Sequence, residues 1–172
     1  MLLKSTCFIL LNFLTLVLAA GNESGKVRFE ENKGQWPSQV RFRADVPSGA
    51  CFLEQKSITW NFVDPASAGH THNDHDHAED SEKPLRGHAF RLNLLGASSN
   101  AHLFPEDVHS AYSNYYIGND SRKWASNVRA YSVINWQQVY PGVHWKVYSN
   151  DQGLKYDFIL QPGADPSNIQ MQ

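Results

Sequence analysis

The chain reads as all-β: an antiparallel β-sandwich of short strands and hairpins with at most one or two short helical turns. Three observations predict it. From Val27 onward, apolar and polar residues alternate with period two. Turn-forming residues interrupt that alternation at short intervals, and no long helical pattern intervenes. Aromatic residues make up 12% of the sequence, with five Trp and seven Tyr, a bias that suits strands better than helices. A barrel of the same strands is the architectural alternative.

The elements follow in order. Lys4 supplies a positive start, Phe8 to Leu18 an apolar run, and Ala19, Ala20 and Gly21 the small residues of a cleavage site. Residues 1–21 therefore read as a secretory signal peptide, and residues 22–172 as a single β-rich domain. In the segment 50–63, a tight turn at Gln55-Lys56 sets Glu54 opposite Ser57, Leu53 opposite Ile58 and Cys51 opposite Trp60. Cys51, Leu53, Ile58, Trp60 and Phe62 then share one face, so register and hydrophobicity agree. Residues 143–149 and 154–160 flank Asn150-Asp151-Gln152-Gly153 and form a second hairpin. It pairs Ser149 with Leu154, Val147 with Tyr156, Trp145 with Phe158 and Val143 with Leu160, and it brings Lys146 across from Asp157.

Between the hairpins, residues 87–95, 112–117 and 128–135 are expected as strands, with Phe90, Leu92 and Leu94 on one face of the first. Residues 121–126 suit a helical turn capped by Asp120. Gly34, Gly118, Gly142 and Gly153 fall where the chain reverses and are expected at positive φ. Ile169 and Met171 begin a new alternation just before Gln172, the pattern expected of the N-terminal fragment of a longer protein.

Composition excludes several classes. Fifteen basic and seventeen acidic residues are intermingled, for a net charge of −2, so no basic stripe is available to nucleic acid. After signal cleavage no apolar run is long enough to span a membrane. Cys7 lies within the leader, which leaves Cys51 without a partner for an internal disulfide. About 150 mature residues bury enough surface to fold without one.

Four constellations could carry chemistry. The polar insertion 64–86 contains His70, His72, His75 and His77 with Asp74 and Asp76, a set that could hold Zn, Ni or Cu; the plainer reading is a flexible solvated loop. Cys51 could pair with His88, His102, His109 or His144 as a nucleophile, but the hairpin register sends it into the core, where a thiol is inert. The adjacent acids Glu30-Glu31, Glu79-Asp80 and Glu106-Asp107 point to opposite faces of a strand and read as surface residues, not as a glycosidase pair. Trp36, Tyr115, Tyr116, Trp124 and Trp136 lie near expected loops or strand ends, where rings either stack on sugars or cap the core. No catalytic residue and no cofactor is assigned.

Several segments together resemble a known family. Phe29-Glu30-Glu31-Asn32-Lys33-Gly34-Gln35-Trp36-Pro37 is similar to its opening signature. Asn114-Tyr115-Tyr116-Ile117-Gly118-Asn119-Asp120, with Lys123-Trp124-Ala125-Ser126-Asn127-Val128, is similar to its central one. Val139-Tyr140-Pro141-Gly142-Val143, Leu154-Lys155-Tyr156-Asp157-Phe158 and Pro162-Gly163-Ala164-Asp165-Pro166 resemble its closing portion. The family is an uncharacterised domain at the N-terminus of large exported Bacteroidota surface proteins. Propeller-type or immunoglobulin-like repeats often follow it, with a type IX secretion sorting domain or a gliding-motility-associated C-terminal domain. His144 stands where similar sequences often carry an acid, and the histidine-rich insertion is not part of the pattern.

The resemblance implies a secreted or cell-surface module whose partners are downstream domains of the same polypeptide. The expected function is a non-catalytic structural or interaction module. The alternatives are a carbohydrate-binding module that recruits surface glycans through loop aromatics, and a surface metal-sequestering protein acting through the His-rich loop.

Overall fold

A computed structural model describes residues 27–68, 84–150 and 152–172. Residues 1–21, the expected signal peptide, and His70, His72, His75 and His77, the expected metal cluster, lie outside the described residues. The strands in chain order are β1 (Phe29–Glu31), β2 (Phe42–Val46), β3 (Gly49–Leu53), β4 (Ser57–Val63), β5 (Gly87–Leu95), β6 (His102–Tyr115), β7 (Ala125–Tyr140), β8 (Val143–Asn150), β9 (Gly153–Leu160) and β10 (Gln170–Met171). Among the described residues, helical structure is confined to a single turn at Pro65–Ala68 and 3-10 turns at Ser121–Lys123 and Pro166–Asn168. The all-β antiparallel expectation holds.

Both hairpins take the register that the alternation demands. Cys51 pairs with Trp60 and Leu53 with Ile58. Val143, Trp145, Val147 and Ser149 pair with Leu160, Phe158, Tyr156 and Leu154, and Lys146 lies opposite Asp157. Both members of that last pair act on Tyr148: the Lys146 ammonium sits 5.5 Å from the centre of its ring, and the Asp157 carboxylate beside it raises the pKa of its hydroxyl. Gly34, Gly118, Gly142 and Gly153 all adopt positive φ. At Gly142 the requirement is doubled, because a Cβ there would also meet the Cβ of Ala164 at 2.9 Å.

The strand order is β10-β5-β4-β3-β2-β1-β7-β8-β9, with β6 also on β7. β7 is the branch point. Its N-terminal half pairs with β1 at Ala130 and Tyr131, and its C-terminal half pairs with β8 from Val133 to Tyr140. β6 runs along nearly all of its other edge. β1 and β8 therefore leave the same edge of β7, one as the root of the β1–β5 wing and the other as the root of the β8–β9 wing.

The two wings close on one core. In a flat sheet β5 and β7 would stand five spacings apart, about 24 Å. Instead the Tyr140 hydroxyl donates to the Leu95 carbonyl at 2.8 Å, and Ser98 N–H donates to Val139 O at 2.8 Å. Leu53, Ile58 and Leu94 from one wing share a cluster with Val143, Trp145 and Val147 from the other. The opposed layers expected of a sandwich thus belong to one curled, branched sheet and not to two separately bonded ones.

Three local expectations need correction. The strand expected to begin at residue 112 begins at His102, and the one expected to stop at Asn135 runs to Tyr140. Pro105, Glu106 and Asp107 obscure the alternation of β6, and such residues are tolerated because β7 is its only neighbour in the sheet among the described residues. Trp136, expected near a strand end, is fully buried and packs on Trp145 with ring centres 4.6 Å apart. On β5, Phe90, at the outer end of the face expected to carry Leu92 and Leu94 as well, is 47% exposed and stacks on Trp60 at 4.8 Å.

Candidate functional site in the Trp36–Tyr115 cleft

The loop between β1 and β2 is short, polar and held by a single amide. Asn32 Oδ1 accepts from the backbone N–H of Gly34 at 2.9 Å and of Trp36 at 3.3 Å. Its Nδ2 donates to the carbonyls of Val40 at 2.8 Å, Pro37 at 3.0 Å and Trp36 at 3.1 Å. One side chain thereby satisfies backbone groups all around the reversal, a role that asparagine's paired donor and acceptor suit. Gly34, at φ +111°, makes the turn possible. Gln35 closes it, donating to Glu31 O at 2.8 Å and accepting from Lys33 N at 2.7 Å.

The two acids before this loop anchor it to distant strands. Glu31 Oε1 accepts from Arg129 N on β7 at 2.9 Å and lies 3.2 Å from the Lys33 ammonium. Glu30 accepts from the Ser113 hydroxyl on β6 at 2.6 Å and from the Tyr115 hydroxyl. Burial, and next the bond to Glu30, push the Tyr115 hydroxyl up to about 12. The expectation that Glu30 and Glu31 are merely solvated acids is therefore corrected. Both are partly buried and each grips another strand.

This framework brings Trp36 against Tyr115, edge to face at 5.4 Å. The Arg43 guanidinium lies over the Trp36 ring at 5.7 Å and pairs with Asp45. Between these groups opens a cleft of about 560 Å³, lined by Gln35, Trp36, Arg43, Tyr115, Ile117 and Lys123. A smaller hollow of about 200 Å³ adjoins Arg43, with Glu30 and Asp45 on its wall.

The far side of the cleft is shaped by the turn after β6. Asp120 caps the 3-10 turn as expected, accepting from Arg122 N, and Arg122 and the turn's own N–H hold its carboxylate below the usual range. Trp124 Nε1 donates to Gly118 O at 3.1 Å, and its ring meets Tyr116 edge to face at 5.9 Å. Asn114 Oδ1 accepts from the N–H of Asn127 at 2.9 Å, where β7 shifts register with Asn127 at positive φ.

A family model described as a domain of unknown function, DUF7948, matches residues 29–172. The chain belongs to the DUF7948 family. The matched span opens at the first residue of β1 and includes every residue lining the cleft. No curated protein and no solved structure matches the chain.

The other sequence-derived candidates separate cleanly. Cys51 is fully buried, and burial pushes its thiol up to about 12, so it is packing and not a nucleophile. His144 Nδ1 accepts from Gln138 N–H at 3.3 Å, and its Nε2 lies 3.0 Å from Gln161 Nε2. It clips the bulge at Gln138, whose φ is +59°; an acid at this position would accept the same N–H. Among the described residues no group of three His, Cys, Asp or Glu gathers to hold a metal. No helix among them is long and apolar enough to cross a membrane. Sequence reasoning selected Trp36 and Tyr115 but missed Arg43, Lys123 and the anchoring role of Glu30. The available signal was a tryptophan inside a run of amides and charges, an unusual place for a ring with no apolar neighbours.

Proposed function

We propose that this DUF7948 chain is a non-catalytic structural or interaction module of a secreted or cell-surface bacterial protein, of the kind that precedes further domains in large Bacteroidota exported proteins. One observation carries the reading. The polar network of Glu30, Glu31 and Asn32 with their partners is engaged in holding a loop against β6 and β7. Carboxylates committed to two donors each are suited to scaffolding, whereas a general acid or base needs a free face toward a substrate. The apolar run and small residues of positions 1–21 support export.

Expression of the full chain in a secreting bacterium, followed by N-terminal sequencing of the extracellular product, tests this. The reading expects a mature product starting at Ala20 or Asn22. Retention in the cytoplasm with the leader intact would refute it. The metal-sequestering alternative is tested by zinc calorimetry on the chain with and without residues 70–77; equal binding by both removes the loop as a site.

A further inference from the structure

We propose that the Trp36–Tyr115 cleft binds a carboxylated saccharide, with the rings seating the apolar face of a sugar and Arg43 and Lys123 receiving its carboxylate. The inference goes beyond the module reading, which stands whether or not the cleft holds a ligand.

The cleft has the right size and surfaces. Its volume of about 560 Å³ falls within the roughly 300–1,000 Å³ typical of small-ligand sites. Trp36 and Tyr115 meet at an interplanar angle of 72°, so they present two differently oriented ring surfaces in one recess. Ile117, 77% exposed, extends the apolar lining.

Charge selects the ligand. The chain carries a net −2, yet the cleft lining contains two cations and no carboxylate. Lys123 forms no ion pair among the described residues. Arg43 touches Asp45 through one nitrogen only, which leaves further donors of its five N–H groups for a planar carboxylate. A simple anion would use those cations but not the rest of the site. Tyr115 already donates its hydroxyl hydrogen to Glu30, so its oxygen offers the cleft a lone pair, which suits the hydroxyl of a sugar and repels a bare phosphate. Gln35, whose amide is already engaged on both sides, likewise retains acceptor capacity.

The site is also assembled in advance. Asn32 fixes the backbone that carries Trp36, and Glu30 fixes the ring of Tyr115. Binding therefore pays little ordering entropy at the rings, the usual source of affinity in a small open site.

The test is calorimetry of the full chain with an oligogalacturonate, its carboxyl-reduced neutral counterpart, and inorganic phosphate. The uronate is expected to bind about tenfold or more tightly than the neutral sugar, a difference of about 1.4 kcal/mol, and equimolar phosphate is expected not to compete. Trp36→Ala, with fold checked by circular dichroism, should lower uronate affinity at least about tenfold. Lys123→Gln, an exposed change that leaves the fold alone, should lower it about threefold to tenfold and flatten its salt dependence. Phe90→Ala, a ring on the distant wing, should leave it unchanged. Absence of uronate binding, equal affinity for the neutral sugar, competition by phosphate, or wild-type binding by both Trp36→Ala and Lys123→Gln would overturn the proposal.

Discussion

The centre of the core and the β1–β2 loop hold the same sheet together by opposite means. Around Trp136 and Trp145 the contacts are apolar, and the two indole N–H groups are buried without a hydrogen-bond partner among the described residues. Each such orphan costs about 1–3 kcal/mol, a cost that burial of two large ring systems outweighs. Around Asn32 the surface is partly exposed, and its one amide partners backbone groups of Gly34, Trp36, Pro37 and Val40. The core is stable because water is excluded. The loop is stable because the protein reproduces what water would otherwise supply. The comparison teaches that the rigid, polar place in this fold lies where a ring can be displayed without being buried.

The largest expected effect lies in the core. Trp145→Ala should destabilise the domain by about 3–5 kcal/mol, read from urea denaturation. Because the two wings share that core, far-UV and tryptophan-fluorescence transitions should coincide in both proteins; separate transitions would mean that the wings fold independently. Asn32→Ala should cost less, about 2–3 kcal/mol, since it strips several bonds from one turn. A loss comparable to that of Trp145→Ala would place the loop within the folding core and erase the contrast.

Alkaline titration sharpens the comparison further. The neutral forms of Tyr115 and Cys51 are favoured in the folded chain, each with its pKa raised to about 12. The sign follows: their contributions are complete below the unfolded values, near 10 for Tyr and 9 for Cys, and are lost as pH rises through 12. Stability measured between pH 9 and 12 should therefore fall less steeply in Tyr115→Phe than in wild type, and identical slopes would remove the Tyr115–Glu30 bond from the account. A thiol reagent at pH 8 should label Cys51 only as fast as the domain unfolds. The smallest effect belongs to the cross-strand pair: a double-mutant cycle on Lys146 and Asp157 should return about 0.2–1 kcal/mol.

What the sequence disclosed followed the same division. Alternation sufficed for both hairpins, down to Trp145 opposite Phe158, because one-residue slips would have exposed every apolar side chain at once. It failed at β6, where Pro105 and two acids mask a strand, and at Trp136, because β7 outruns its visible pattern by five residues, from Asn135 to Tyr140. The branch at β7 was invisible, since no local pattern reports which strands share an edge. The cleft was half legible. Its rings stood out, but the bonds that place them join residues far apart in the chain, Glu30 to Tyr115 across 85 positions and Glu31 to Arg129 across 98. Such bonds leave no periodicity to read.

Amide hydrogen exchange at Gly34 and Trp36 tests most directly whether one asparagine preassembles the ring-bearing loop. In the wild-type chain both amides, bonded to Asn32 Oδ1, should be well protected despite their position in a surface turn. In Asn32→Ala they should exchange freely while Val147, deep in β8, stays protected. Exchange of Gly34 and Trp36 at unfolded rates in the wild type would contradict the account.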